Sequence, residues 1–230
     1  MYCGNFMFKS LKNKIMNTGV FGNKSYGKTW QEKDGEDQVK WYDKMHKSHQ
    51  VQHEDFLKFL KIKEPRTVLE VGCGTGYYPI KLKELFSDVK YTGTDISETA
   101  IKQCKKNSSF EFIAGDFLKI DFTKKFDLVF SHAVVDHVYD MNAFVLKIAE
   151  LTKQFAYITA YRGYFPDLKK HKMNWNNDDG SYYNDFSIIQ IKEKFNEIGL
   201  KDSEFSIRSL KVDDQNDALD YQTIIEIHKT

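Results

Sequence analysis

A buried strand running straight into three alternate glycines constrains this chain more than any other feature. The segment reads Val68-Leu69-Glu70-Val71-Gly72-Cys73-Gly74-Thr75-Gly76-Tyr77. Glycines here permit a tight turn and let the backbone approach a ligand closely at the strand's carboxyl end. The spacing is G-x-G-x-G. A dinucleotide fingerprint, G-x-G-x-x-G, wants glycine or alanine at position 77, where Tyr77 stands. No G-x-x-x-x-G-K-[ST] loop occurs, which disfavours a nucleotide triphosphatase.

Strands and helices alternate around that turn. Residues 67–71, 90–95, 110–114, 126–131 and 155–160 read as strands. Residues 79–86, 98–106 and 143–152 read as helices between them. Alternation at this spacing implies βαβ units, a parallel sheet and right-handed crossovers. Residues 161–185 break the rhythm, being rich in Asn, Asp, Lys and Tyr without a clear period. A long irregular stretch inside a compact domain is usually functional or mobile. A helix over 187–198 follows, with Gly199 as its C-terminal cap. Two closing strands, 205–210 and 223–228, flank an acidic loop at 213–220. Before the glycine turn, 1–33 is a Gly-, Asn- and Lys-rich arm, and 36–62 is helical until Glu64-Pro65 ends it.

At 230 residues the chain suits one large α/β domain. The organisation expected is an arm and cap helix over 1–63, then a domain over 64–230 with a substrate-side insertion at about 161–186. Basic and acidic residues number 34 and 33, so a strongly basic nucleic-acid binder is not indicated. No run of about 18 apolar residues predicts a membrane span. The first 17 residues contain no continuous apolar run of a signal peptide. Cys3, Cys73 and Cys104 have no metal-like spacing, so no metal is expected and the cytoplasm is the natural setting.

Glu70-Val-Gly-Cys-Gly-Thr-Gly76 resembles the first motif of the class I S-adenosylmethionine-dependent methyltransferases. Three further segments resemble that family in order: Tyr91-Thr-Gly-Thr-Asp95-Ile96-Ser97, Phe112-Ile-Ala-Gly-Asp116-Phe117, and Phe126-Asp-Leu-Val-Phe-Ser131-His132. The resemblance implies a Rossmann-like α/β fold: seven mostly parallel strands with helices on both faces, an antiparallel last strand and an N-terminal helical cap. It implies S-adenosylmethionine as cofactor, held by Glu70, Gly72, Gly74, Gly76, Asp95, Ile96, Asp116, Phe117 and Ser131. Asp95 would take the ribose hydroxyls and Asp116 the adenine amino group. Asp95 also sits about 20 residues beyond the glycine turn at a strand end, where a carboxylate can reach a ribose. Taken singly, each Asp reads equally well as a helix cap or turn residue.

Acceptor contacts are read from position. His132 and His137 lie just past the fourth strand, where an open α/β sheet meets its ligand; Asp136 and His137 also read as a cap of the next helix. Tyr42, His46, His49, His53, Phe56 and Leu60 fall on one helix face. Three readings stay open for that stripe: a packed helix, a lid carrying His49, His46 or Tyr42 to the acceptor, and a zinc site, for which the histidine spacing is right but no Cys or carboxylate completes a set. Arg occurs only at 66, 162 and 208, and Arg162 follows the fifth strand. Its planar fork suits a carboxylate or phosphate, with a surface salt bridge as the alternative. Tyr161 beside it lines a pocket or packs the loop down. The activity expected is methyl transfer to a small polar, anionic molecule at oxygen, with His132, His137 or His49 as base. Methylation of a small amine and a non-catalytic cofactor-binding subunit are the alternatives. The segment Ser131-His-Ala-Val134 differs from [DN]-P-P-[YF], which by family resemblance disfavours exocyclic-amine methylation of nucleic-acid bases.

Overall fold

The computed structural model describes residues 26–32, 35–212 and 220–229. Most of the expected arm and acidic loop therefore lies outside the described residues. Three helices come first: α1 (Lys28–Gln31), α2 (Gly35–Ser48) and α3 (Gln50–Lys63). The alternating part contains β1 (Thr67–Val71), α4 (Tyr77–Leu85), β2 (Lys90–Asp95), α5 (Glu98–Asn107) and β3 (Glu111–Ala114). It continues through β4 (Phe126–His132), α6 (Met141–Leu151) and β5 (Thr152–Ala160). Then come β6 (Trp175–Asn176), β7 (Ser181–Tyr182), α7 (Ile188–Glu197), β8 (Phe205–Lys211) and β9 (Tyr221–His228).

The main sheet has seven strands in the order β3-β2-β1-β4-β5-β9-β8. β1 to β5 pair in parallel, while β9 runs antiparallel to both β5 and β8. The last strand is thus the reversed one, as expected. Chain order reverses between β1 and β4, and an open α/β sheet binds ligands at that switch point. The parallel strands are buried on both faces, so Val68, Leu69, Leu128, Val129 and Phe130 are all fully enclosed. One face packs α6 and α7 through Phe144, Ile148, Ile191 and Phe195. The other packs α3, α4 and α5 through Phe56, Leu60, Leu82 and Ile101.

Two expectations change. The single helix over 36–62 is broken at His49, whose φ of −104° and ψ of 36° leave the helical region. Side chains there take the carbonyls: Ser48 Oγ donates to Met45 O at 2.9 Å and Gln50 Nε2 to His46 O at 2.8 Å. The irregular 161–185 stretch holds a small hairpin, β6 pairing with β7. That hairpin also grips the N-terminal segment. Gly27 N donates to Gly180 O at 2.7 Å, and Thr29 N to Asp179 O at 2.9 Å.

Candidate active site

The glycine turn needs its glycines for definite reasons. Gly72, Gly74 and Gly76 have φ of 82°, 52° and 94°. A Cβ at Gly72 would lie 2.2 Å from Val134 Cγ2, and one at Gly74 would lie 2.7 Å from the Tyr42 ring. The turn is tied down by Gly72 N and Cys73 N, which donate to Thr94 O at 2.7 and 2.9 Å. Asp95, at the end of β2, then accepts Gly74 N on Oδ2 and Ser97 N on Oδ1, both at 2.9 Å. Burial raises its carboxyl pKa, and the backbone N–H groups oppose that rise.

Asp116 begins the short turn after β3. It accepts Leu118 N at 3.1 Å on Oδ1 and Tyr139 OH at 2.9 Å on Oδ2. Glu70 accepts the Tyr91 hydroxyl, and burial pushes its pKa up to about 8. It is therefore mostly protonated at neutral pH.

These groups open onto one cavity of about 440 Å³. Glu70, Gly72, Gly74, Asp95, Ile96, Asp116 and Phe117 line it. Gly76 and Ser131 do not. Gly76 caps α4, and Ser131 is buried with its hydroxyl donating to Val71 O at 2.9 Å. Tyr42, His46, His49, His132, His137 and Tyr161 line the cavity as well. Arg162 is not among the lining residues. Its guanidinium pairs with Asp185 at 3.5 Å, so the expected anion anchor is already engaged beside the cavity. The lining contains neither Lys nor Arg.

The residues present fit an adenosyl group. Bare backbone at positions 72 and 74 forms a cradle that side chains would fill. Each Asp95 oxygen accepts one backbone N–H and keeps lone-pair capacity for a ribose hydroxyl. Ile96 and Phe117 offer apolar surface beside Asp116.

A family described as "Methyltransferase domain" matches residues 62–211. The chain belongs to that family. Its motifs and fold are those of class I S-adenosylmethionine-dependent methyltransferases. Ribosomal protein L11 methyltransferase of Dictyoglomus turgidum is 30% identical over 137 residues, 58% of this chain and 42% of that protein. A malonyl-[acyl-carrier protein] O-methyltransferase of Legionella pneumophila is 33% identical over 84 residues, 34% of this chain and 29% of that protein. The chain thus spans less than half the length of these curated relatives. Among solved structures, plantazolicin methyltransferase BpumL with S-adenosylhomocysteine superposes at a TM-score of 0.62. It covers 97% of this chain and 99% of that one, at 13% identity. Magnesium protoporphyrin IX methyltransferase of Synechocystis, with bound S-adenosylmethionine, gives 0.56 at 16% identity, covering 96% and 97%. At such identities the likeness shows the fold.

In this methyltransferase domain the histidine stripe becomes a chain of contacts. His46 Nδ1 lies 3.4 Å from His53 Nε2, and His53 Nδ1 meets the Tyr78 hydroxyl. The His132 ring stacks on Tyr78 at 4.8 Å. His137 Nδ1 lies 2.7 Å from Tyr182 O, so that nitrogen carries the proton and Nε2 presents a lone pair. Residue types alone did not single out Tyr78, Thr159, Trp30 or Gln222, which also line the cavity. Tyr78 had one local signal, its place directly behind the glycine turn. Gln222, on the last strand, had none.

Burial pushes His46, His53 and His137 down to about 4, about 3 and about 4, and His132 well below its ordinary value. His171 is likewise lowered to about 4. Such a group binds a proton near pH 6.5 only when unfolded, so its stabilising contribution, complete above that pH, is lost as pH falls towards 4. Burial raises Glu70, Asp95 and Asp136, which act with the opposite sign over the same range. The five histidines outnumber these three carboxyls. The melting temperature should therefore fall as pH drops from 7 to 5, measured by calorimetry in buffers of constant ionic strength. A constant value across that range would contradict these shifts.

Among the described residues no group of three or more His, Cys, Asp or Glu could hold a metal ion. None of their helices is long and apolar enough to cross a membrane.

Proposed function

We propose that this protein transfers the methyl group of S-adenosylmethionine to an oxygen of a small polar molecule. One observation carries the reading: the glycine turn, Asp95 and Asp116 bound the same cavity as a set of partly buried histidines and aromatic rings. When bound, the cofactor supplies a methyl group already activated on a sulfonium. The chain's own task is then to align the acceptor and exclude water. Asp95 and Asp116 take the ribose and adenine, and Ile96 and Phe117 flank the base. Glu70, protonated by burial, accepts the Tyr91 hydroxyl and adds little negative charge. His137 Nε2 is the acceptor lone pair best fixed in direction. Trp30, edge-on to His137 at 4.9 Å, helps close the cavity from the N-terminal side. The buried thiols Cys73 and Cys104 suit a reducing compartment.

The names of the malonyl-[acyl-carrier protein] relatives support oxygen as the acceptor atom. A pavine N-methyltransferase of Thalictrum flavum, 28% identical over 101 residues, supports the amine alternative, and so does Asp179 in the cavity wall. The test is calorimetry with S-adenosylhomocysteine, followed by transfer of labelled methyl to matched oxygen and nitrogen acceptors. Binding with transfer to nitrogen alone would overturn the oxygen assignment.

The Tyr42 ring lies against Gly74, which makes α2 the element that should respond to the cofactor. Amide hydrogen exchange across α2 should slow at least severalfold on adding S-adenosylhomocysteine. Equal exchange with and without it would leave α2 a fixed wall.

A further inference from the structure

Four residues that line this cavity each hold a buried side-chain nitrogen with no hydrogen-bond partner among the described residues: His46 Nε2, Gln52 Nε2, His132 Nε2 and Gln222 Nε2. Buried polar groups are almost always paired, so four unpaired ones on one cavity wall are a signal of a ligand. Their chemistry can be read from their neighbours. A glutamine amide nitrogen only donates. Thr159 Oγ1 already accepts Ala133 N at 3.0 Å and lies 3.3 Å from His132 Nδ1. The threonine hydroxyl proton meets no other acceptor in these contacts, so it is paired by donating to Nδ1, which places the His132 proton on Nε2. The buried Tyr78 hydroxyl meets His53 Nδ1 and pairs its proton by donating to it, which leaves the His53 proton on Nε2, facing His46 Nδ1. His46 then also carries its proton on Nε2. All four nitrogens are N–H donors, and burial keeps both imidazoles uncharged at neutral pH.

We infer that these four donors form an acceptor subsite for the carboxylate of a small, largely apolar or aromatic molecule, and that the product is its methyl ester. The inference rests on the methyltransferase reading above and names the substrate class of that same cavity. A carboxylate has two oxygens with about four lone-pair sites, which matches a wall of four donors. A phosphate dianion lacks what it needs, because no Lys or Arg lines the cavity. An ammonium finds no acceptor among these four nitrogens. The nearby carboxyls do not oppose an anion strongly. Asp95 and Asp116 sit at the cofactor end, and Glu70 is mostly protonated at neutral pH. Asp179 accepts from Tyr183 OH at 2.7 Å and Asn176 Nδ2 at 3.0 Å. Trp30, Trp41 and Tyr161 supply flat apolar surface for the rest of the molecule. Glutamine side chains turn easily about their terminal torsion, which lets Gln52 and Gln222 face inward.

The chemistry balances without a base. A carboxylate oxygen attacks the methyl carbon, the new C–O bond forms as the S–C bond breaks, and the electron pair stays on sulfur. The acceptor's negative charge and the sulfonium's positive charge cancel, leaving a neutral ester and S-adenosylhomocysteine, with no proton released. Neutral donors suit this sequence. They hold the ionised reactant and hold the uncharged ester less tightly, which favours release.

The test uses Gln52→Met and Gln222→Met, singly and together, since methionine keeps the length and removes the donors. Probes are aryl carboxylic acids with the alcohol, phenol and amine of the same skeleton. S-adenosylhomocysteine affinity should stay within about twofold and the melting temperature should not fall, because an unpaired buried donor has been removed. Wild type should bind and methylate acids in preference, giving a product that releases methanol in alkali. The double variant should lose at least tenfold in kcat/KM for the acid. An alkali-stable product, no acid binding to the S-adenosylhomocysteine complex, or undiminished turnover by a folded double variant would each overturn the subsite. Failure of S-adenosylhomocysteine itself to bind would overturn the methyltransferase reading, and the subsite with it.

Discussion

Asp95→Ala should lower S-adenosylhomocysteine affinity at least tenfold and lower the melting temperature as well. The carboxylate has two tasks. It accepts Gly74 N and Ser97 N, both at 2.9 Å, which joins the glycine turn to the start of α5. It is also the acceptor set for the ribose hydroxyls. Hydrogen bonds to a charged group contribute about 1.5–3 kcal/mol each, and alanine leaves two buried N–H groups unpaired. Asp95→Asn separates the tasks. It retains one acceptor oxygen, yet its amide N–H₂ faces a backbone N–H as donor to donor, and the charge-assisted acceptor for the ribose hydroxyls is lost. Its melting temperature should lie between those of wild type and Asp95→Ala, while its affinity still falls about tenfold. Calorimetry and thermal melting on both variants provide the check. Wild-type affinity in folded Asp95→Asn would remove the ribose assignment.

Gly72→Ala should be nearly as damaging. At φ +82° a non-glycine residue costs about 1–2 kcal/mol. Its Cβ would also lie 2.2 Å from Val134 Cγ2, with the other Val134 carbons at 3.5 and 3.6 Å. Valine is stiff at χ1, so rotation gives little relief, and overpacking of this kind costs about 1–3 kcal/mol. Together these predict a fall in melting temperature of roughly 5–15 °C for a domain of this size. Pushing Val134 away also distorts the loop after β4, which lines the cavity. Cofactor affinity should fall with stability. A melting temperature unchanged within a degree would show that the turn adapts.

The cofactor end was legible because its chemistry is local. Gly72, Gly74 and Asp95 sit at strand ends set by a short-range pattern, and the turn between β1 and α4 is then tied down by Thr94 and Asp95 of the adjacent strand. The same holds for the five parallel strands, whose hydrophobic runs stand out from flanking Gly, Asp and Asn. The acceptor end was legible only in part. The stripe Tyr42, His46, His49, His53 was visible as a helix face, yet its break at His49, where the Gln50 side chain takes the His46 carbonyl, is a choice that periodicity does not register. Arg162 was singled out by rarity and position. Its engagement with Asp185 depends on how the 161–185 segment folds back, which no spacing in the chain reveals.

By itself, the amino-acid sequence determined the class of fold, the reversed last strand implied by its resemblance to the methyltransferases, and which end of the sheet carries the glycine turn and its two acidic partners. Those follow from patterns a few residues long. The tertiary structure alone decided that Gln52, on α3, and Gln222, on β9, share a cavity wall with His46 and His132. It also decided that the segment at Gly27 docks on the hairpin turn at Gly180, and that burial holds His46, His53, His132 and His137 neutral. These are relations between residues up to about 170 positions apart, created when the N-terminal helices close over the carboxyl edge of the sheet. Burial and hydrogen-bond satisfaction depend on what arrives from elsewhere in the chain, and that information exists only once the chain has folded.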